Sequence, residues 1–527
     1  MKIKINKSLT IHPFLLAIFP SVFILSHNVK QMTTEDINSL LIAVAVTVCL
    51  ALLLWLPLSF ILKDKKKAAL IISLGLVLFF SYGHFISLVE GLWKTIVIGD
   101  FVIGHHKVFL TIWGIIFLVG AYFFLRTRRN LNTLTNLLNV IAVALVAISL
   151  INIGANAFRG GPAAWDNNIN ENIEDSTSSV NSLHISPDIY YIIVDGYASS
   201  STLAKVYNYD NHEFYNYLTE KGFFVASESH SNYSTTSFSL LSSLNMEYVH
   251  NLIDIAEVES KDCAGPYQMI KESRVMKFLK SRGYKFIHFS SGWGPTNSNQ
   301  FADLDIRCGV LNEAPSVLIQ TTMAGPFMNH FMQVDHAQRI LCTFSKLADV
   351  PTVAGPKFVF SHINSPHAPY VFDANGEPVP EAKFEMEGNA WEQKELYLNQ
   401  LIFITKKVEM LVDELLSKSE VPPIIILQAD HGSASTFYSE GTHYWASPTK
   451  DMLRERFGIF NACYLPQGGN SLLYNSITPV NTFRLIFNFY FGTNYELLGD
   501  QSYYSTYEHL YDLIDVTDKV SKIEKEN

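Results

Sequence analysis

The stretch IILQADHGSASTFYSEGTHYW, residues 425–445, decides the fold class of the second half of this chain. It begins as a short isoleucine-rich run, which is typical of a buried strand. The run ends in Asp430, His431 and Gly432, and another histidine, His443, follows twelve residues after His431. A buried strand that ends in a carboxylate and an imidazole predicts a polar site at the end of a sheet.

Similar apolar runs alternate with amphipathic stretches from about residue 186 onward. The predicted strands are 188–196 (DIYYIIVDG), 284–291 (YKFIHFSS), 357–364 (KFVFSHIN), the run before Asp430, and 457–466 (FGIFNACYLP). The predicted helices are 211–222, 274–283, 392–418 and 480–492. Strands that alternate with helices predict an α/β sandwich with a mostly parallel central sheet.

The first 157 residues have a different composition. The chain is 48% apolar, and the excess is concentrated in five windows, roughly 11–26, 40–62, 68–92, 108–125 and 134–157. A bilayer crossing needs about 20 mostly apolar residues. The first window is short, contains Pro20 and follows three lysines as a signal peptide would, but no small-residue cleavage site follows it. We therefore predict a retained α-helical bundle of about five spans.

Basic residues indicate the orientation of these spans. Lysines in 1–7 and 63–67 and arginines in 126–129 fall in alternate loops, and such clusters stay in the cytoplasm. The sequence thus predicts a multi-pass protein of the inner, cytoplasmic membrane whose remaining residues lie outside the cytoplasm, in a periplasm or on a cell surface. The predicted domains are a transmembrane domain (1–157), a polar linker (158–187), an extracytoplasmic catalytic domain (188–500) and a tail (501–527).

Extracytoplasmic cysteines can form disulfides. Cys263 and Cys308 lie in polar, loop-like contexts and are the predicted pair. Cys342 and Cys463 lie in apolar surroundings and are predicted to be buried thiols.

Carboxylates and imidazoles follow several predicted strands. Asp195 ends the first, His362 lies at the end of another, and His367 follows in a proline-bounded loop. Alone, each of these residues is more often a turn former or a core residue. Together at one sheet edge they predict a divalent cation, because buried charge needs compensation.

A nucleophile is predicted in SNYSTTSFSLLSSLN, residues 231–245. Thr235 and Thr236 stand at the start of a predicted helix, where the macrodipole and free N–H groups stabilise an anionic oxygen. An ordinary helix cap is the alternative interpretation.

In the order of these motifs, an Asp after the first strand, a Thr at a helix start and a late Asp-His-Gly, the sequence resembles the alkaline phosphatase and sulfatase superfamily. The similarity is greatest to its membrane-anchored branch, which includes lipoteichoic acid synthases and lipid A phosphoethanolamine transferases. The resemblance implies metal ligation by Asp195, Asp430, His431 and the nucleophilic Thr236, with Thr235 as the fallback. It also implies substrate-side or second-metal roles for His367 and His443, while His362 has no firm counterpart and is kept as an additional ligand. Zinc is the expected metal, with manganese or magnesium as alternatives.

Two departures from that branch matter. Asp195 stands where the membrane transferases usually have Glu, and Asp is common in the phosphatases and phosphodiesterases. There is no Cys/Ser-x-Pro-x-Arg sequence near Thr236, so formylglycine cannot form there and sulfate-ester hydrolysis is not expected.

The resulting hypothesis is a phospho-head-group transferase, moving phosphoethanolamine or phosphoglycerol through a covalent threonine intermediate. The expected partners are a phospholipid donor in the bilayer and an envelope glycan or glycolipid acceptor. A membrane-anchored phosphodiesterase or phosphatase and a non-catalytic sulfatase-like scaffold are the alternatives. The net charge of -10 and the lack of a basic stripe exclude nucleic acid as the expected partner.

Overall fold

A computed structural model of the chain describes residues 9–29, 32–89, 96–98, 101–103, 105–159, 186–255, 261–379, 388–439, 442–443 and 445–521. The helices are α1 (His12–Asn28), α2 (Thr34–Leu62), α3 (Lys65–Val89), α4 (His105–Arg126), α5 (Asn132–Arg159), α6 (Ser200–Tyr207), α7 (His212–Glu220), α8 (Thr236–Asn245), α9 (Val249–Leu252), α10 (Ala264–Lys271), α11 (Arg274–Ser281), α12 (Glu313–Gln320), α13 (Gly325–Asp349), α14 (Lys394–Lys418), α15 (Lys450–Phe457), α16 (Pro479–Phe491) and α17 (Thr517–Val520). The strands are β1 (Ile96–Ile98), β2 (Phe101–Ile103), β3 (Ile189–Val194), β4 (Phe224–Val225), β5 (Lys285–Phe289), β6 (Leu304–Ile306), β7 (Lys357–Ile363), β8 (Ile424–Gln428), β9 (Tyr438–Ser439), β10 (Thr442–His443), β11 (Asn461–Tyr464), β12 (Tyr503–Thr506) and β13 (His509–Asp515).

The N-terminal helices are apolar on nearly all sides. Four of them, α2 to α5, are long and apolar enough to cross a membrane. The predicted count of five is therefore too high by one, because α1 has only 17 residues and contains Pro20. α1 packs against α5, where the side chain of Asn139 accepts a hydrogen bond from His12 N (3.0 Å).

The central sheet has seven strands in the order β4-β11-β8-β3-β7-β5-β6. β8, β3, β7, β5 and β6 run parallel, and at one edge β11 pairs antiparallel with both β8 and β4. Every residue of β3, β7 and β8 is buried, as expected for strands covered on both faces. The predicted α/β sandwich with a mostly parallel sheet is confirmed.

Helices cover both faces of this sheet. The side chains of β3 alternate between two apolar clusters: Tyr190 and Ile192 join the layer with α14, and Tyr191 and Ile193 join the layer with α8 and α16. Because both faces are filled with apolar side chains, polar residues of the central strands are exposed to a site only where the strands end.

The disulfide of the structure differs from the predicted one. Cys308 pairs with Cys342 at a Cα–Cα distance of 5.8 Å, whereas Cys263 is a buried free thiol. The predicted Cys263–Cys308 pair is wrong, and so is the prediction of a free Cys342. Local apolarity could not indicate that α13 brings Cys342 next to Cys308. Cys463 is a buried thiol, as predicted.

The chain forms two compact units. One comprises Met1–Gly161 and Leu311–Met332, and the other comprises Pro162–Val310 and Gln333–Asn527. Most of the predicted linker, residues 160–185, lies outside the described residues. The predicted tail contains the β12–β13 hairpin, which continues the second of these units through a hydrogen bond from Tyr503 N to Asn232 O (2.8 Å).

Candidate metal and nucleophile site

Three neighbouring strands deliver the polar residues of the site. Asp195 directly follows β3, His362 lies on β7 opposite Ile193, and Asp430 and His431 follow β8 on the other side of β3. These strands are parallel, so their carboxyl ends meet at one edge, and the predicted convergence of these residues is present in the structure.

Asp195, Asp430 and His431 form a compact, buried cluster. One ligand atom from each lies within 4.8 Å of the other two. His431 Nε2 is 3.3 Å from Asp430 Oδ2 and 3.6 Å from Asp195 Oδ1. The other oxygen of Asp430 accepts a hydrogen bond from Gly196 N (3.1 Å), which connects the two strand ends.

Thr236 completes this arrangement at the first position of α8. Its Oγ1 lies 3.1 Å from His431 Nε2, and the residue is half-buried. Thr235 is the N-cap residue of α8, and its hydroxyl is 3.5 Å from Ser237 Oγ rather than at the cluster. Thr236 is thus the hydroxyl that meets the acidic cluster at the positive end of a ten-residue helix.

The donor set fits a divalent cation. His431 Nδ1 donates to Gly432 O (2.9 Å), so Nε2 carries the lone pair that faces the carboxylates. Among the described residues, Asp195 Oδ1 and Asp430 Oδ2 are buried without a hydrogen-bond partner. Two unsatisfied carboxylate oxygens, an imidazole lone pair and a hydroxyl that converge in this way match the oxygen and nitrogen ligands of zinc or manganese.

The electrostatics of the cluster agree with this interpretation. Burial and the neighbouring charge of Asp195 raise the pKa of Asp430 to about 6. Burial also acts to raise the pKa of Asp195, but His367, His362 and His431 outweigh it and hold that pKa below its ordinary value. Burial and Arg456 lower the pKa of His431 well below its ordinary value, which keeps the ring neutral. A neutral imidazole is the form that binds a metal.

The other predicted histidines occupy different positions. His362 Nε2 is 3.2 Å from Asp195 Oδ2, while its Nδ1 pairs with Thr296 Oγ1 (2.8 Å). The rings of His367 and His431 lie 6.1 Å apart, and His367 is half-buried. His443 lies on β10 opposite Tyr438, and its side chain lies outside the described residues.

The loop after Asp430 is held by two charged residues that sequence reasoning missed, Glu455 and Arg456 of α15. Glu455 Oε1 accepts hydrogen bonds from Ser433 Oγ (2.8 Å) and Ser435 N (2.6 Å), and its Oε2 accepts from Thr436 N (2.9 Å). A Cβ on Gly432 would lie 2.2 Å from Glu455 O, so only glycine allows this approach.

Arg456 connects that loop to the loop that precedes Thr236. Its guanidinium donates to Ser234 O (2.8 Å) and Gly432 O (3.2 Å), and the side chain is fully buried. Neither residue belongs to a motif, and the only available signal was two charges at the end of an amphipathic helix.

We expect Glu455→Gln to impair the site without removing a ligand. The amide keeps one acceptor but places an N–H group against donors of the 433–436 loop, and an unmet buried hydrogen bond costs about 1–3 kcal/mol. Metal affinity should fall about tenfold, as measured by calorimetric titration with zinc. Glu420→Gln, at an exposed position, is the control. Equal zinc affinity of Glu455→Gln and Glu420→Gln would contradict the positioning role of Glu455.

Gln400 of α14 positions the loop that carries His367. Its fully buried amide donates to His367 O (3.0 Å) and accepts from Val371 N (2.7 Å) and Phe372 N (3.2 Å). His367 N in turn donates to Asp195 O (3.0 Å). The amide therefore satisfies two backbone N–H groups and one carbonyl of this loop, and no sequence motif marks it.

Gln400→Leu is expected to lower kcat more than metal affinity. The variant fills similar volume but leaves backbone donors unsatisfied, so the His367 loop should shift while Asp195, Asp430 and His431 remain. We expect kcat to fall about 10- to 100-fold at an unchanged zinc affinity. Gln400→Glu keeps the acceptor oxygen, so its kcat should fall less than that of Gln400→Leu. If Gln400→Leu lost zinc affinity together with kcat, the whole carboxyl edge of the sheet would be disrupted, which would contradict a role limited to the His367 loop.

Together, the fold and the site are an α/β sandwich with a threonine and an Asp-Asp-His cluster at the carboxyl edge of its sheet, a donor set that could hold a metal ion. The sulfatase family profile matches residues 187–461, just over half of the chain. The chain belongs to the sulfatase family. No curated protein matches the sequence significantly.

Several solved structures are similar in outline. The C-terminal periplasmic domain of EcEptC from Escherichia coli in complex with Zn has 14% identity and a TM-score of 0.42, covering 64% of this chain and 95% of that one. The periplasmic domain of the phosphoethanolamine transferase EptC from Campylobacter jejuni has 12% identity and a TM-score of 0.37, covering 60% and 92%. The integral membrane protein EptA, a lipooligosaccharide phosphoethanolamine transferase from Neisseria meningitidis, has 11% identity and a TM-score of 0.35, covering 90% and 92%. None reaches a TM-score of 0.5, so none bears on the activity of this chain.

Proposed function

We propose that this protein is a metal-dependent, membrane-bound transferase of phospholipid head groups, phosphoethanolamine or phosphoglycerol. The observation that carries the proposal is the half-buried Thr236 hydroxyl, 3.1 Å from His431 Nε2 at the edge of the acidic cluster. A hydroxyl at a helix N-terminus next to a metal site suits nucleophilic attack on a phosphoryl group. The half-buried position lets a donor reach it.

Each residue around the proposed metal ion has a distinct role. Asp195, Asp430 and His431 would hold one divalent ion, zinc in our proposal, with Thr236 as the fourth ligand. When bound, such an ion lowers the pKa of a ligating hydroxyl and neutralises charge on a phosphoryl oxygen. His367 is half-buried, whereas His431 is buried, and His367 Nδ1 donates to Ala368 O (2.8 Å). In our proposal its Nε2 is therefore the atom that exchanges protons.

The transfer has two balanced steps. Thr236 Oγ1, having lost its proton to solvent, bonds to phosphorus while the bond from phosphorus to the diacylglycerol oxygen breaks, and that oxygen takes a proton from His367. A hydroxyl of an envelope glycan or glycolipid then bonds to phosphorus as its proton passes to His367 Nε2, and the phosphorus bond to Thr236 breaks. His443 is the second residue that we propose for this proton transfer.

The membrane helices support a lipid donor. The basic loops at 63–67 and 126–129 connect α2 to α3 and α4 to α5, which supports an extracytoplasmic position for the chain after α5 whether or not α1 spans. We therefore propose an inner-membrane protein with residues 188–500 as its periplasmic catalytic domain. Anchoring to the leaflet that contains the donor raises its local concentration.

Mass spectrometry of envelope glycolipids, with and without the gene, tests the function. We expect glycolipids that carry one additional phosphoethanolamine or phosphoglycerol only when the gene is present, and none with Thr236→Ala. If purified enzyme instead releases the free phosphorylated head group from phospholipid while no glycolipid is modified, the protein is a phosphodiesterase that passes the intermediate to water.

Metal affinity should depend steeply on pH. The pKa of Asp430 is raised to about 6, and its protonated form cannot ligate, so metal binding must displace a proton below that pH. Zinc affinity should be nearly constant above about pH 7 and fall roughly tenfold per pH unit below about pH 6. Calorimetric titrations at several pH values measure this, and a flat profile down to pH 5 would contradict ligation by Asp430.

A further inference from the structure

Residues 311–332 come from the catalytic half of the sequence but group with the N-terminal helices. Leu311–Met332 belongs to the compact unit that contains Met1–Gly161. Ala314 and Leu318 of α12 are buried against Leu40 of α2. The Cys308–Cys342 disulfide joins the chain three residues before and ten residues after this segment.

The segment also binds the backbone of α3. Gly83 N donates to Thr321 O (3.0 Å), and Met323 N donates to Phe79 O (2.9 Å). In a regular helix the amide of Gly83 and the carbonyl of Phe79 would be partners. A Cβ on Gly83 would lie 2.4 Å from Gln320 O, so this contact depends on glycine.

The contacts of residues 311–332 with α2 and α3 lie near the extracytoplasmic ends of these two helices. Leu40 is six residues from the start of α2, and Gly83 is six residues from the end of α3, which is about 9 Å at 1.5 Å per residue. With 25 residues, α3 is about 37 Å long, whereas the hydrocarbon core is about 30 Å thick. The segment therefore lies at the boundary between head groups and acyl chains.

An apolar face of this segment is exposed. Phe327 is 72% exposed and Phe331, four residues later on α13, is 46% exposed, while Val317 of α12 is 43% exposed. Between Glu313 and Asp335 the sequence has no Asp, Glu, Lys or Arg. Exposed aromatic side chains in an uncharged segment at this depth are typical of a contact with lipid.

We propose that residues 311–332 form a membrane-interface segment in which Phe327, Phe331 and Val317 contact phospholipids of the outer leaflet. α12 packs on α2, whose apolar side chains Leu41 and Ile42 are themselves exposed, and this favours lipid over a protein partner. This contact is independent of the metal chemistry, since none of its residues belongs to the site.

Photo-crosslinking in the full-length protein tests the segment directly. The chain is reconstituted in nanodiscs of phosphatidylethanolamine and phosphatidylglycerol, with p-benzoyl-phenylalanine in place of Phe327 or Phe331. Leu53 of α2, 66% exposed, is the positive control, and Phe489 of the catalytic unit, 40% exposed, is the control for an exposed aromatic residue. Lipid adducts are quantified by peptide mass spectrometry.

We expect lipid adducts at 327 and 331 within about threefold of the Leu53 yield and about tenfold above the Phe489 yield. A yield at 327 as low as at Phe489, or crosslinks mainly to a second copy of the chain, would overturn the proposal.

A pair of glycine variants tests whether α3 holds the segment in place. Gly83→Ala should reduce the adduct at 327 at least about fivefold, because the new Cβ displaces residues 320–321. Gly114→Ala on α4, where a Cβ would meet nothing within 4 Å, should leave it unchanged. Unchanged adducts in Gly83→Ala would show that the docking on α3 does not position the lipid contact. Because the readout is a lipid adduct, these outcomes are separate from success or failure of the transferase proposal.

Discussion

Thr236→Ala is expected to abolish turnover of a fluorescent phosphatidylethanolamine or phosphatidylglycerol donor while leaving the fold intact. The variant removes the hydroxyl that lies 3.1 Å from His431 Nε2 but keeps the first position of α8 helical. Loss of a nucleophile commonly lowers kcat on the order of 10⁴-fold or more. Release of fluorescent diacylglycerol measures the rate, and zinc titration checks that Asp195, Asp430 and His431 still bind metal.

Thr235→Ala is the matched control for this result. Thr235 is buried next to Thr236, and its hydroxyl faces Ser237 rather than the cluster. We expect its turnover to stay within about threefold of the wild type, since only a weak hydrogen bond is lost. Thr236→Ser should retain measurable activity. Near-normal turnover of Thr236→Ala together with an inactive Thr235→Ala would move the nucleophile to Thr235.

Asp430→Asn should remove metal binding. The amide keeps the acceptor for Gly196 N but removes the negative charge, and His431 and Asp195 alone offer one imidazole and one carboxylate. Zinc affinity is expected to fall about 100-fold or more, with turnover lost in parallel. Without metal the variant should be at least as stable as the wild type, because it relieves repulsion between two buried carboxylates. Calorimetric titration and thermal unfolding with chelator measure both effects.

Asp451→Asn is the control for this variant. Asp451 is exposed and paired with Lys205 (2.8 Å) on the surface, where an ion pair contributes little. Its metal affinity and turnover should match the wild type. If Asp430→Asn retained the zinc affinity of the wild type, the proposed metal site at this cluster would be wrong.

The sequence predicted the fold well because each central strand is buried on both faces and therefore reads as a continuous apolar run. β3, β7 and β8 were recognisable in this way. The edge strands β4 and β6 have two and three residues, too short for a periodic signal. The site residues Asp195, Asp430 and His431 were predicted together because parallel strands share a carboxyl edge; their roles remain predictions.

Residues that act at long range in the sequence escaped prediction. Gln400, Glu455 and Arg456 support the site through hydrogen bonds to backbone groups far along the chain, and a single amide or charged side chain in a helix has no distinctive pattern. The disulfide between Cys308 and Cys342 was not predicted for the same reason. The sequence could not indicate the surroundings of the segment 311–332, in which Glu313 is the one charged residue, since its environment depends on α2 and α3.

The most direct test of the central claim is detection of a modified Thr236. Metal-loaded, full-length protein is mixed with phosphatidylethanolamine in the absence of an acceptor, quenched in acid and digested, and the peptide containing residues 231–245 is analysed by tandem mass spectrometry. The covalent route predicts one phosphoethanolamine on Thr236, absent with chelator and discharged when acceptor glycolipid is added before quenching. Full turnover of donor to acceptor with this peptide unmodified at every time point would contradict it.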